Sequence, residues 1–283
     1  MTGPTDTRFD YVTIGHVTRD AIEDGEGIAS FQPGGSAFYS ALQAARLGLR
    51  TQILTQGVPG EIEALLEPYL DELELQVIPA EHTTTLSTHG TGASRTQRVL
   101  AWAGPIVEPI EPHTAILHLA PVARETPVSW RGRADFVGIT PQGLIRHWGQ
   151  DAHVSLVQLD PALLPARFDA AVISEHEHES CKALLSAARR CDAPVAVTAG
   201  SGPTTVRLPV PASEPLLQSV LPPAVVVRDD LGAGDVFAAA FFVALADGHD
   251  PLQAAVFGNA AAAIRIAGAG PDAIAAPPAI VTP

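Results

Sequence analysis

The residues best placed to do chemistry lie together in Asp229-Asp230-Leu231-Gly232-Ala233-Gly234-Asp235-Val236-Phe237. Small residues at 232–234 let backbone N–H groups crowd toward one point at the positive end of a helix, and such a point attracts phosphate or a developing oxyanion. Asp235 stands at the opening of that helix. Two anions repel, so a carboxylate beside an anion hole makes poor sense as a phosphate ligand. It makes better sense as a base taking a proton from a hydroxyl that attacks phosphorus. The plainer reading is a helix entry with Asp235 as a first-turn acid.

A second glycine entry, Gly34-Gly35, precedes a helix read over Ser36 to Leu47 and closed by Gly48, with Ala37, Ala41, Ala44, Ala45 and Leu47 on its inward face. Ahead of it, Tyr11 to Gly15 reads as a buried strand. Ligands of open α/β sheets sit at the carboxyl ends of strands. Asp20 therefore falls at the edge of a site, where a carboxylate can accept bonds from sugar or polyol hydroxyls.

Composition narrows the chemistry by exclusion. With 283 residues, 46% of them apolar, the chain can bury a sizeable core. Its formal net charge of −14 argues against nucleic acid or an anionic membrane as partner. No apolar run is long enough to span a membrane and the first ten residues are polar, so the expected location is the cytoplasm. Lys182 is the only lysine, which rules out a Walker A motif. Cys181 and Cys191 form neither a disulfide framework nor a metal knuckle. Gly90 to Arg95 fails as a dinucleotide fingerprint at its last glycine.

Elements that could position these residues follow from patterning. Arg50 to Thr55 reads as a strand and Glu61 to Leu70 as an amphipathic helix. Residues 75–110 alternate in short Thr-, His- and Gly-rich stretches, typical of solvent-touching antiparallel strands. Together with residues 17–32 they are taken as a small β lid. Beyond it, Ala115–Leu119, Phe136–Ile139, Ala170–Ile173, Val195–Val197 and Ala224–Val227 read as strands between helices, the last leading directly into the 229–237 stretch. Strands punctuated by helices imply a parallel sheet covered on both faces. Ser174 to Glu179 crowds three carboxylates and two imidazoles, but neighbouring residues on a helix point about 100° apart, so few could converge on one ion.

The 229–237 stretch resembles the C-terminal signature of the ribokinase-like (PfkB) carbohydrate kinases, Asp-Thr-x-Gly-Ala-Gly-Asp, with Asp230 in place of Thr. Gly34-Gly35 and the helix behind resemble the N-terminal signature, with Tyr39 in place of its Asn. The resemblance runs from Gly15 to Gly270. It implies an α/β fold: a three-layer αβα sandwich with a mostly parallel sheet and a small β lid, in one domain over 1–283. It further implies ATP-dependent phosphorylation of a sugar or polyol hydroxyl, with Mg2+ between the phosphates. The alternatives are a nucleoside kinase, or a non-catalytic sugar- or nucleotide-sensing protein on the same fold.

By the same resemblance Asp235 is the base, and Gly232, Ala233 and Gly234 form the anion hole. Asp20, Gly34, Gly35 and Tyr39 face the substrate. Thr140 to Arg146 is similar to a stretch of some sugar and inositol kinases, which adds Gln142 and Arg146 to that group. Glu177 matches the residue that positions Mg2+ through water. Thr198, Gly200 and Gly202 match a nucleotide loop, and Asn259 lies on the helix flanking adenine. Asp229 matches a residue that helps hold a monovalent cation such as K+. The resemblance also admits a homodimer through the lid.

Overall fold

The computed structural model describes residues 8–24, 27–90, 94–107, 109–210 and 213–278. The polar N-terminal residues 1–7, and residues 25–26, 91–93 and 108 of the expected lid segments, lie outside the described residues. The strands are β1 (Phe9–Ile14), β2 (Thr18–Asp24), β3 (Gly27–Gly34), β4 (Thr51–Gly57), β5 (Glu74–Pro79), β6 (Thr85–His89), β7 (Thr96–Ala101), β8 (His113–Leu119) and β9 (Arg133–Ile139). A short pair, β10 (Arg146–His147) and β11 (Ser155–Leu156), precedes β12 (Ala170–Ser174), β13 (Val195–Thr198), β14 (Thr204–Leu208) and β15 (Leu216–Val220). The helices are α1 (Ser36–Arg46), α2 (Pro59–Leu66), α3 (Lys182–Cys191), α4 (Ala233–Ala246) and α5 (Pro251–Ala267).

The main sheet has nine strands in the order β15-β14-β13-β12-β9-β8-β1-β4-β5. All neighbours from β13 to β5 run parallel, and β14 and β15 are an antiparallel edge hairpin. Alternation along each strand supplies both faces. Val12 and Ile14 pack with Leu184, Ala187 and Ala188 of α3, whereas Tyr11 packs with α4 and α5. That is the expected αβα layering. Among the described residues no helix is long and apolar enough to cross a membrane.

The lid is a separate four-stranded sheet, β3-β2-β6-β7. Its second segment starts at Thr85, later than residue 75 where the sequence suggested. Glu74–Pro79 belongs to the main sheet and pairs in parallel with β4 from Gln52 to Gly57. An edge strand with one covered face alternates just as a lid strand does, so the pattern alone did not separate them.

A second expectation fails at Ala224–Val227, which forms no strand. Val225, Val226 and Val227 are 39%, 83% and 58% exposed. Pro222 and Pro223 offer no N–H to a ladder, so pairing stops with β15 at Val220. The chain then crosses as an irregular segment held by Arg228 N–H on the Ile266 carbonyl (2.8 Å).

α4 is buried from Val236 to Ala244. Phe242 reaches the sheet, edge-on to His118 with ring centroids 4.9 Å apart, above Gly138, where a Cβ would lie 2.4 Å from its ring. Truncating it leaves a cavity under the helix that carries Asp235. Phe242→Ala should cost about 3–5 kcal/mol in denaturant unfolding, and a loss under about 1 kcal/mol would show that the helix is not anchored there.

Candidate active site

Two helix N-termini meet at the carboxyl ends of the parallel strands. Gly232 caps α4 with φ +76°, a left-handed conformation that a side chain would strain. A Cβ there would also lie 2.4 Å from Cδ1 of Tyr39 on α1. Asp235 follows in the first turn of α4, partly buried, held by the Ser36 hydroxyl on its carboxylate and the Ser40 hydroxyl on its carbonyl (3.2 Å). The amides at the start of a helix have no partner within it, and they face the space beside Asp235. The Ala233 N–H is partly engaged, in a long 3.4 Å bond to the Asp230 carbonyl.

Asp20 is 6% exposed, with the Thr18 hydroxyl donating to Oδ1 at 2.7 Å, and shares the influence of Arg146 and Arg95 with Asp235. Its approach depends on glycine. A Cβ on Gly34 would lie 2.2 Å from Asp20 Oδ2, and one on Gly35 (φ +92°) would lie 2.3 Å from the His16 carbonyl. These two glycines serve packing of the backbone around Asp20.

Arg146, 8% exposed, ties the floor together. It donates to the Val122 carbonyl (2.8 Å), to Oε1 of Gln97 on lid strand β7 (2.7 Å) and to Gln142 Oε1 (2.8 Å). Gln142 Nε2 donates in turn to Glu177 Oε1 (2.9 Å), whose Oε2 accepts from the Ser174 N–H (2.8 Å). The expected Gln142, Arg146 and Glu177 thus form one buried chain. Of the carboxylates and imidazoles at 175–179, Glu177 alone is buried.

Burial pushes the carboxyls of both Asp20 and Asp235 up to about 6. Arg146 and Arg95 pull both back down, and Glu177 pushes Asp235 further up. Arg146 is itself drawn below its ordinary value by burial, against the opposing pull of Glu177, Asp235, Glu125 and Asp20. The site is therefore a cluster of coupled charges, with the carboxylates poised near neutral pH.

Two positions differ from the role the resemblance gave them. Tyr39, 2% exposed, packs its ring against Gly232, so it backs the glycine turn rather than opening toward a substrate. Asp229 accepts from the Leu231 N–H (3.0 Å), the Gly270 N–H (3.0 Å) and Arg265 Nη2 (2.7 Å). Burial raises its carboxyl, but Arg265 and the two amides outweigh that and hold it below the ordinary range. Those donors do not fit a monovalent cation. Glu177 does fit a metal-bound water, because each of its oxygens keeps a second lone pair beyond the bond it already accepts.

On the remaining side, Thr198 ends β13 and Gly200 (φ +58°) and Gly202 shape the turn into β14, where Gly202 N–H bonds the Ala199 carbonyl (2.8 Å). Asn259 on α5 is 5% exposed and its Oδ1 accepts from the Thr204 hydroxyl (2.8 Å), which ties α5 to the hairpin.

Three important residues carried no signal in the sequence. Glu125, 1% exposed, accepts from the N–H groups of His16, Val122 and Ala123 at 2.6–2.8 Å and so binds the loops after β1 and β8 together. Arg95 reaches from the lid to Asp230. Arg265 lies on the last turn of α5 with 0% exposure. Each has a partner more than thirty residues away, which no local motif reveals.

The sign of the carboxyl shifts predicts a pH effect on stability. A value raised from 3.8 to about 6 means the native state holds the proton more tightly. The contribution is then full below the unfolded value and is lost as pH rises through about 6. Asp235→Asn, which mimics the protonated form, should be more stable than wild type at about pH 8, by at most about 3 kcal/mol, with the gap narrowing below about pH 6 and closing only below about pH 4. Equal denaturation midpoints at both pH values would show that Asp235 is not desolvated.

Residues 145–277 match the model of the "pfkB family carbohydrate kinase". No curated protein matches the chain in sequence. Among solved structures, a pyrophosphate-dependent kinase of the ribokinase family, complexed with a pyrophosphate analogue and myo-inositol, superposes with a TM-score of 0.71 at 18% identity, over 92% of this chain and 96% of that one. The Arabidopsis thaliana ribokinase complexed with ribose and ATP gives 0.63 at 20% identity (95% and 96%). A Methanocaldococcus jannaschii nucleoside kinase gives 0.64 at 18% (95% and 95%). Residues 145–277 thus match the pfkB carbohydrate kinase model, and the chain as a whole has the fold of the ribokinase-family structures that superpose on it.

Proposed function

We propose that this kinase transfers the terminal phosphoryl group of ATP to a hydroxyl of a sugar or polyol, with Asp235 as the base. The observation that carries the reading is the pairing of Asp235, raised to about 6, with the left-handed Gly232 turn beside it. Asp20 accepts hydrogen bonds from the acceptor and orients it. Asp235 takes the proton of the attacking hydroxyl as its oxygen bonds to phosphorus, and ADP leaves. The amides of the 232–234 turn meet the negative charge on the transferring group. Mg2+ bound with the nucleotide would supply charge neutralisation, and Glu177 would hold it through water. Lid strands β2, β3, β6 and β7 keep water out, so that the acceptor and not water is phosphorylated.

A second reading concerns the donor. Asn259 is 5% exposed, with Oδ1 taken by the Thr204 hydroxyl and the unpartnered Nδ2 itself buried, so its amide is closed off from an adenine. Pyrophosphate, the donor of one structural neighbour, needs no such contact. The experiment is one screen with two donor arms. Sugars, polyols and nucleosides are each tested for ADP release from ATP and for pyrophosphate consumption. An acceptor that raises turnover well above the donor-alone rate is expected, and a rate that no acceptor raises in either arm would leave the sensing alternative. Exposed Ile22, Ile28, Phe31 and Leu100 on the lid support a homodimer through that sheet.

Replacing the two aspartates separates their roles. Asp235→Asn should lower kcat by on the order of 10²–10⁴-fold while donor binding survives. The rise of wild-type kcat/KM with pH through about 6, as Asp235 loses its proton, should vanish in that variant. Asp230→Thr breaks the pair with Arg95, in which the Arg95 and Asp230 side chains are 26% and 27% exposed, so kcat should stay within about tenfold. The opposite order of effects would overturn the assignment of the base.

A further inference from the structure

The surroundings of Asp229 carry an inference about ions. The family resemblance links this position to a mobile monovalent cation, yet the residues present already supply the positive charge. Arg265 is fully buried and binds Asp229 twice, Nη2 to Oδ2 at 2.7 Å and Nη1 to the backbone carbonyl at 3.3 Å. The N–H groups of Leu231 and Gly270 take two further acceptor positions on the same carboxylate. A potassium ion is held by a shell of oxygen acceptors. Beside Asp229 it would meet N–H donors and a guanidinium, which repel it.

Arg265 also reaches the glycine turn by a second route. Its guanidinium carbon lies 5.6 Å from the centroid of the Tyr39 ring, and that ring fills the space where a Gly232 side chain would begin. The arginine therefore holds the start of the 229–234 segment through Asp229 and backs its left-handed residue through Tyr39. Its place on the last turn of α5 puts the charge at the negative end of that helix. Arginine suits the position because it stays charged when buried, where lysine readily loses its proton.

The geometry points to Arg265 as a built-in cation. It is a positioning residue that holds the root of the Gly232–Gly234 turn in place of a bound monovalent ion, so the protein works without potassium. The effect on turnover rests on the kinase reading above, whereas the absence of a potassium site does not.

The test compares potassium, sodium and tetramethylammonium chloride at equal ionic strength, by thermal melting and by calorimetric binding of pyrophosphate and ATP. Wild-type Tm and donor affinities should be the same in all three, with affinities within about twofold. Arg265→Met leaves Asp229 without its counter-charge and frees the acceptor positions that the guanidinium held on Oδ2 and the carbonyl, so it should gain a saturable, potassium-selective rise in Tm, with turnover stimulated roughly tenfold by potassium. Arg265→Lys keeps a charge but not the fork, and should melt lower while staying indifferent to potassium. A wild-type Tm raised by potassium and not by tetramethylammonium overturns the proposal, with or without turnover. So does a folded Arg265→Met protein with no potassium-selective response; if that variant does not fold, a potassium-selective rise in Arg265→Lys overturns it equally. Flat wild-type melting with no turnover on any acceptor counts against phosphoryl transfer alone.

Discussion

The site depends on how an apolar helix can begin inside a protein. α4 is buried along most of its length, so its first amides must meet something polar where the helix begins. Gly232 solves the entry by taking a left-handed conformation against the Tyr39 ring. The turn aims N–H groups at the cavity and sets Asp235 into the first helical turn beside them. The dipole of α4 favours the ionised carboxylate, while burial and Glu177 oppose it. The balance leaves the group at about 6, protonatable and still a competent base near neutrality.

Around that turn the site is assembled from pieces that do not fold next to each other in sequence. Glu125 gathers three amides from the loops after β1 and β8, so those three donors are satisfied by one carboxylate. Arg146 bonds Gln97 of the lid and Gln142 of the body at once, and Arg95 of the lid meets Asp230 of the glycine segment. The lid is thus tied to the floor and to the phosphate-side loop by arginines. A shift of the lid changes the charges around both Asp20 and Asp235, because Arg95 acts on each.

Local chemistry was legible in the sequence to the extent that it is local. The two glycine entries could be read because a positive φ or a close approach restricts the residue type, and both turns stand where the glycines predicted. The capping box of Asp250 and Gln253 starts α5 at Asp250-Pro251. Ala224–Val227 misled because valine has β propensity but cannot supply a neighbouring strand. The resemblance set Tyr39 toward the substrate, yet packing of its ring against Gly232 decides its place. Glu125, Arg95 and Arg265 were out of reach for one reason: each draws its meaning from a partner brought near only by the fold.

The use of arginine rather than lysine follows from the same constraint. A chain with a net charge of −14 repels phosphate at long range, so any attraction must be built at short range from buried positive groups. Burial penalises a charge, and a lysine placed there tends to discharge. A guanidinium keeps its proton and has donors enough to bind several fixed acceptors at once. Arg146 uses three such acceptors, and Arg265 uses both the side chain and the backbone of Asp229. With Lys182 far off on α3 in an exposed pair with Glu179, the positive field of the site is arginine throughout, fixed in direction by hydrogen bonds before any anion arrives.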